Sequence, residues 1–125
     1  MRRGSIHISP AEFERLVEEA LEQLPPQFQD LLDNVAVVVE DEPDDEDYEM
    51  SDTPDEHELL GIFRGIARTN RSWEQLPALP NQVAIFRGPI LRLSRSRDEA
   101  VEEIRDTVIH ELGHFFGLGD HDMPY

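Results

Sequence analysis

Apolar residues recur at helical spacing near the start of the chain, from Phe13 onwards. Ser9 precedes this stretch as a predicted N-cap, Pro10 suits the first helical position, and Glu12 completes a capping-box pattern. A proline pair at residues 25–26 ends the helix, and its second proline suits the start of a short second helix. The sequence therefore predicts an amphipathic N-terminal helix followed by a helical turn.

A second capping-box pattern, Ser96 with Glu99, predicts the start of the last and longest helix. We expect this helix to continue to Gly117. Its apolar stripe consists of Val101, Ile104, Val108, Leu112 and Phe115.

Three short runs between these helices predict β-strands. Residues 35–39 are an almost continuous β-branched run, which is typical of a strand buried on both faces. Residues 59–65 and 82–87 are predicted to form two further strands. Gly88 and Pro89 are expected to break the chain after the last of them.

Charge is concentrated between the first two of these strands. The chain carries a formal net charge of -17, and residues 40–58 contain twelve acidic residues and no arginine or lysine. So few apolar residues occur there that we expect a mobile, solvated loop. Arginines such as Arg64 and Arg87 are interpreted only as balancing these acids. The strongly acidic chain is not suited to binding nucleic acid or an anionic membrane, because both require a basic surface.

The length of 125 residues is that of one domain, so residues 1–125 are predicted to form a single unit with an acidic mobile loop at about 40–58. There is no cysteine, which excludes disulfides and thiolate metal sites. No signal-peptide or membrane-spanning run of apolar residues occurs. These features predict a soluble, cytoplasmic protein.

The candidate chemistry lies in HELGHFFGLGD, residues 110–120, at the end of the last predicted helix. Residues four apart on a helix lie one turn apart on the same side, so His110 and His114 can bind one ion. Glu111 is rotated by about 100° from His110, which places it near a metal-held water rather than among the ligands. The spacing predicts two zinc ligands and a general base.

A catalytic zinc site usually has three protein ligands and an open position. Gly117 and Gly119 would allow the chain to turn back after the helix, so that Asp120 could supply the third ligand. His121 is the alternative third ligand. Two imidazoles and a carboxylate also suit iron or manganese, so the residues alone leave the identity of the metal open.

The order HExxH, then glycine, then a third ligand resembles the extended motif of the metzincin metalloproteases, with aspartate in the third position. The pattern is more similar to a family of very small bacterial zincin-like metallopeptidases, the minimal zincins, and the resemblance includes LLGIFRG at 59–65 and VAIFRGPILRL at 83–93. It implies an α+β, zincin-like fold in which a small twisted mixed sheet of three or four strands packs against an N-terminal helix and a long C-terminal helix. Met123 lies only three residues after Asp120, so the methionine turn of the metzincins is not carried over.

The first functional hypothesis is a zinc-dependent metallopeptidase with Glu111 as general base. The resemblance implies that its peptide or protein substrate binds along a sheet edge. The alternative is a non-catalytic zinc-binding module whose acidic loop binds a basic partner protein. A third hypothesis is a latent enzyme with the acidic loop as a lid. Neither a nucleic acid nor a membrane is expected as a partner.

Overall fold

The structure is a computed structural model of the protein, and it describes residues 6–51, 58–64 and 81–115. Within these ranges, helices occur on both sides of a small sheet. The elements in chain order are α1 (Pro10–Glu22), α2 (Pro26–Leu31), a 3-10 turn (Leu32–Asn34), β1 (Val35–Glu40), α3 (Asp45–Met50), β2 (Gly61–Arg64), β3 (Asn81–Phe86), α4 (Arg87–Leu93) and α5 (Arg97–Phe115).

Both capping serines act as the sequence predicts. The Ser9 hydroxyl accepts a hydrogen bond from the Glu12 N–H at 3.1 Å, and the Ser96 hydroxyl accepts one from the Glu99 N–H at 3.1 Å. The Glu99 carboxylate in turn accepts a hydrogen bond from the N–H of Arg95 at 2.8 Å. These contacts satisfy amide groups that have no partner within the first turn of a helix, and so they fix where α1 and α5 begin.

In the described part of the chain, the sheet has three strands in the order β1-β3-β2. β3 is parallel to β1, with Val37 opposite Val83, and antiparallel to β2, with Gly61 opposite Ile85. The prediction that residues 35–39 are buried on both faces is wrong, because β1 lies at an edge of the described strands and Val35 alone among its residues is buried. Instead, the central strand β3 carries the continuous buried run, from residue 83 to residue 86.

The two faces of the sheet differ in what covers them. On one face, alternate residues of β1 and β3 contribute Val35, Val83 and Ile85 to a large apolar core that includes the buried sides of α1, α2 and α5. On the other face, a smaller cluster around Ile62 and Phe86 includes the partly buried Tyr48 of α3. The sheet is therefore covered on both faces, and the long helix α5 lies on the larger core.

The apolar stripe predicted for α5 is buried where the structure describes it. Val101, Ile104, Val108 and Leu112 are all less than 4% exposed, and Ile109 extends the stripe. α5 contacts α1, β2 and β3. Burial of this stripe orients the opposite side of the helix towards solvent, and this orientation positions the candidate site.

The expectation of a loop throughout residues 40–58 is wrong for Asp45–Met50, which form α3. Asp44 and Asp47 make a reciprocal capping box at 2.9 and 3.1 Å. The Arg64 guanidinium donates to Glu40 of β1 at 2.8 Å and to Asp47 of α3 at 2.9 Å. Arg64 thus joins three elements, which is more than the charge balance expected from the sequence. Residues 52–57 lie outside the described part of the chain, and mobility of the segment stays a prediction.

The strand ends at Phe86, before Gly88 and Pro89 as expected, but these two residues do not interrupt regular structure, because both lie in the first turn of α4. Proline is tolerated there, since the first amides of a helix have no carbonyl partner within the helix. The N–H of Gly88 instead donates to the carbonyl of Asp41 at 2.9 Å.

This architecture confirms the α+β prediction of a small mixed sheet packed against an N-terminal helix and a long C-terminal helix, which both lie on the same face of the sheet. Within the described ranges, no helix is both long enough and apolar enough to cross a bilayer.

Candidate metal centre

His110 and His114 lie on the exposed side of α5, where both residues are helical. Their ring centroids are 4.2 Å apart, and the ring planes are inclined by 47°. The buried neighbours Ile109 and Leu112 hold this part of the helix against the core. The helix therefore brings two imidazoles together at the surface, in the side-by-side arrangement predicted by their spacing.

Glu111 is partly buried between this exposed side and the sheet. Its Oε1 accepts a hydrogen bond from the main-chain N–H of Phe63 in β2 at 3.1 Å. Burial raises the pKa of the Glu111 carboxyl above its ordinary value, while the Phe63 N–H and the nearby His114 act in the opposite direction. Glu111 is thus a carboxylate of increased basicity, held beside the imidazole pair.

Phe63 presents this N–H at the outer edge of the sheet. The N–H of Phe86 donates to the carbonyl of Leu60 at 2.9 Å, which fixes the alternation of hydrogen bonds between β3 and the β2 region. By this alternation, Ile62 and Arg64 direct their main-chain groups at β3, whereas Gly61 and Phe63 direct theirs away from it. Glu111 therefore contacts the side of β2 on which no strand is described.

A cleft of about 340 Å³ extends from Glu111 along α5. One wall consists of residues 58–61, which lead into β2, and the other consists of α5 residues: Glu103, Asp106, Thr107, His110 and Glu111. The candidate base and one of the candidate ligands thus line a cleft that follows the approach to a strand edge.

The predicted third ligand Asp120 and its alternative His121 lie outside the described residues. Among the described residues, no group of three or more histidine, cysteine, aspartate or glutamate side chains is arranged to bind an ion. The two imidazoles fit zinc by their chemistry, since zinc readily takes nitrogen ligands and tolerates a mixture of histidine and carboxylate. The residues present are therefore suited to two positions of a zinc site, and the ligand roles stay predictions.

Two sets of contacts were not predicted from the sequence: the hydrogen bond from Phe63 to Glu111 at the site, and the contacts by which Arg64 joins β2 to β1 and α3. The Phe63 N–H is a main-chain donor, and no residue type signals such a contact. The role of Arg64 could have been suspected from its position at the end of a predicted strand, opposite an acidic segment.

The model of the zincin-like metallopeptidase family matches residues 32–125, a range that includes β1 and the whole of α5. The fold is similar to that of a solved structure described as a conserved hypothetical protein from T. thermophilus, with a TM-score of 0.59, 20% identity, and coverage of 87% of this chain and 94% of that one. No curated protein matches the chain. Because the family match covers well over half of the sequence, the chain belongs to the zincin-like metallopeptidase family.

Proposed function

We propose that the protein is a zinc-dependent metallopeptidase that hydrolyses peptide bonds with Glu111 as general base. The observation that carries this proposal is the position of Glu111. Its carboxylate is held by the Phe63 N–H beside the paired rings of His110 and His114, at the end of a cleft.

In this proposal, His110 and His114 supply two ligands of the zinc ion, and Asp120 supplies the third, with His121 as its alternative. Bound zinc would supply a Lewis acid for the scissile carbonyl and lower the pKa of a water molecule. The exposure of both imidazoles on α5 leaves them accessible to an ion from solvent. Neutral imidazole is the ligand form, so binding of the metal would compete with protonation of the two histidines.

Glu111 transfers the proton in this mechanism. It accepts a proton from the attacking water and then transfers it to the leaving amine. Because burial raises the pKa of Glu111, its carboxylate is a better proton acceptor than an exposed glutamate. Its hydrogen bond from Phe63 occupies Oε1, so Oε2 is the oxygen proposed to meet the water.

The outer edge of β2 is the proposed site of the substrate main chain. Gly61 directs its N–H and carbonyl towards this edge, and residues 58–61 line the cleft that leads to Glu111. An extended peptide could pair with this edge as an added strand. The scissile bond would then lie near the end of the cleft where His110 and Glu111 meet.

The non-catalytic alternative assigns the acidic segment to a basic partner protein. Several of these acids already contact arginines of the same chain: Glu40 and Asp47 accept hydrogen bonds from Arg64, and Glu42 accepts them from Arg92. A partner would have to compete with these contacts. For this reason we favour the catalytic proposal.

The test compares Glu111→Gln with wild type in zinc content and in cleavage of a peptide library. We expect the variant to bind zinc normally and to lose hydrolysis by at least about a hundredfold, because glutamine cannot accept the proton. Glu102→Gln, at an exposed glutamate of the same helix, is the matched control and should cleave like wild type. Equal turnover by Glu111→Gln and wild type would exclude Glu111 as the base.

A further inference from the structure

The contact between β2 and Glu111 depends on an unusually close approach of the strand to α5. A Cβ atom added at Gly61 would lie 2.7 Å from Cγ2 of Thr107 and 2.8 Å from the carbonyl oxygen of Ala84. Both distances are shorter than atoms of these kinds tolerate. Gly61 is thus a position where any side chain would force β2 away from α5 or from β3.

The residue spacings of β2 and α5 connect the close contact at Gly61 with the contact at Glu111. Gly61 lies against Thr107, and Phe63, two residues further along β2, donates to Glu111, four residues further along α5. Two strand residues advance by about 6.8 Å. Four helical residues advance by about 6.0 Å. The contact at Gly61 and the hydrogen bond at Phe63 are therefore in register. A displacement of β2 at Gly61 should lengthen or break the hydrogen bond from Phe63 to Glu111.

We infer that the main-chain N–H of Phe63 is a positioning group for Glu111, and that Gly61 acts with it by allowing β2 to lie close to α5. The N–H restricts the carboxylate to one orientation at the outer edge of the sheet. Without it, a glutamate side chain has three rotatable bonds and samples several rotamers. The inference rests on the proposed function only for its kinetic consequence, since the orientation of Glu111 can be measured without catalysis.

The positioning role also divides the outer edge of β2 between two tasks. The Phe63 N–H is committed to Glu111, whereas the outward main-chain groups of Gly61 line the cleft. Residues only two apart on one strand thus serve the base and the proposed substrate respectively. This arrangement would keep the peptide at a fixed distance from the oxygen that accepts the proton.

An amide-to-ester substitution tests the positioning role with the smallest change. Replacing Phe63 by its α-hydroxy analogue removes the N–H and keeps the side chain, and it also weakens the Ile62 carbonyl as an acceptor. The same replacement at Gly61 removes a neighbouring outward N–H and weakens the Leu60 carbonyl in the same way. The Gly61 ester is therefore a matched control for the orientation of Glu111, and it is used only in the NMR measurement, because the Gly61 N–H is itself proposed to pair with the substrate.

The first measurement is the set of side-chain scalar couplings of Glu111 by NMR, on the metal-free and the zinc-loaded protein. We expect a single Glu111 rotamer in wild type and in the Gly61 ester, and averaged couplings in the Phe63 ester. Gly61→Ala should also give averaged couplings, because its Cβ displaces β2, and thermal unfolding would verify that this variant is folded. The inference is overturned if the Phe63 ester keeps the wild-type couplings, or if the Gly61 ester loses them equally.

The second measurement is kinetic. With zinc bound, the Phe63 ester should lower kcat by roughly tenfold and change KM by less than about twofold, because the hydrogen bond orients the base and does not hold the substrate. A rise in KM with unchanged kcat would contradict a positioning role. If the zinc-loaded wild type hydrolyses no peptide, the proposed function fails, and the NMR couplings still decide whether Phe63 positions Glu111.

Discussion

Two glutamates at the start of the acidic segment and two glutamates of α5 occupy opposite electrostatic environments. Hydrogen bonds from Arg64 and Arg92 lower the pKa of Glu40 and Glu42 respectively. On α5, burial is the main cause that raises the pKa of both Glu103 and Glu111, and the charge of Asp106 adds to the effect at Glu103. The same residue type is thus stabilised as an anion in one region and destabilised as an anion in the other.

The direction of the pKa shift distinguishes carboxyl groups that stabilise the fold from those proposed to take part in the reaction. Carboxylates beside arginines join strands and helices of the fold, as Glu40 and Asp47 do through Arg64. A desolvated carboxylate costs stability when it is ionised, and a cost of this kind is typical of groups that take part in proton transfer. Among the carboxyl groups that the structure describes, the two with raised pKa values, Glu103 and Glu111, both line the proposed cleft.

The largest effect on this comparison should come from Arg64→Ala. Asp47 is only 4% exposed, so removing the guanidinium would leave a buried carboxyl group without this partner and weaken the attachment of α3 to the sheet. We expect a loss of about 2–4 kcal/mol in the free energy of unfolding, measured with denaturant. Arg92→Ala is the control, since its ion pairs with Glu42 and Glu58 are exposed, and it should cost no more than about 1 kcal/mol. Equal losses would mean that the burial of Asp47 does not matter.

An intermediate effect should appear in the pH dependence of stability. Because the pKa of Glu40 is lowered in the folded protein, its contribution is present above its ordinary value of 4.5 and is lost as the pH falls through the folded value. The difference in unfolding free energy between wild type and Arg64→Ala should therefore shrink between pH 6 and about pH 3. Denaturant unfolding at a series of pH values measures it. A difference that stays constant over this range would show that the ion pairs of Arg64 contribute nothing.

The smallest effect should come from Glu103→Gln, which tests how burial affects a carboxyl group of α5. The pKa of Glu103 is raised in the folded protein. The protonated carboxyl group therefore favours the folded state at low pH, and this contribution to stability is lost as the pH rises through the pKa of the folded protein. Neutral glutamine should stabilise the protein at pH 7 by about 0.3 kcal/mol, a small value because solvent screens the site. The gain should disappear near pH 3. Glu102→Gln, at the exposed neighbour, should show a smaller gain, and an equal one would refute the role of burial.

Much of the fold follows from local patterns that the sequence displays. The caps at Ser9 and Ser96, the stripe of α5 and the approximate positions of the strands are visible because hydrogen-bonding side chains and apolar spacing act within a few residues. The pairing of His110 with His114 follows in the same way from the helical period.

What could not be predicted depends on contacts between distant residues. α3 carries little apolar surface, and it is held by its own capping box and by Arg64, which lies 17 residues after Asp47. The partial exposure of β1 follows from strand order, and a run of valines does not reveal that order. The contact between Phe63 and Glu111 spans 48 residues and uses a main-chain donor that every residue except proline possesses.

The proposal that His110 and His114 bind zinc while Glu111 stays free to act as the base is tested most directly by zinc coordination in the loaded protein. X-ray absorption and metal analysis measure it. We expect two imidazole ligands in wild type, retention of zinc in Glu111→Gln, and weakened binding in both His110→Ala and His114→Ala. Undiminished zinc affinity after loss of either histidine, or loss of the metal in Glu111→Gln, would show that the pair on α5 does not hold the ion or that Glu111 is a ligand instead of the base.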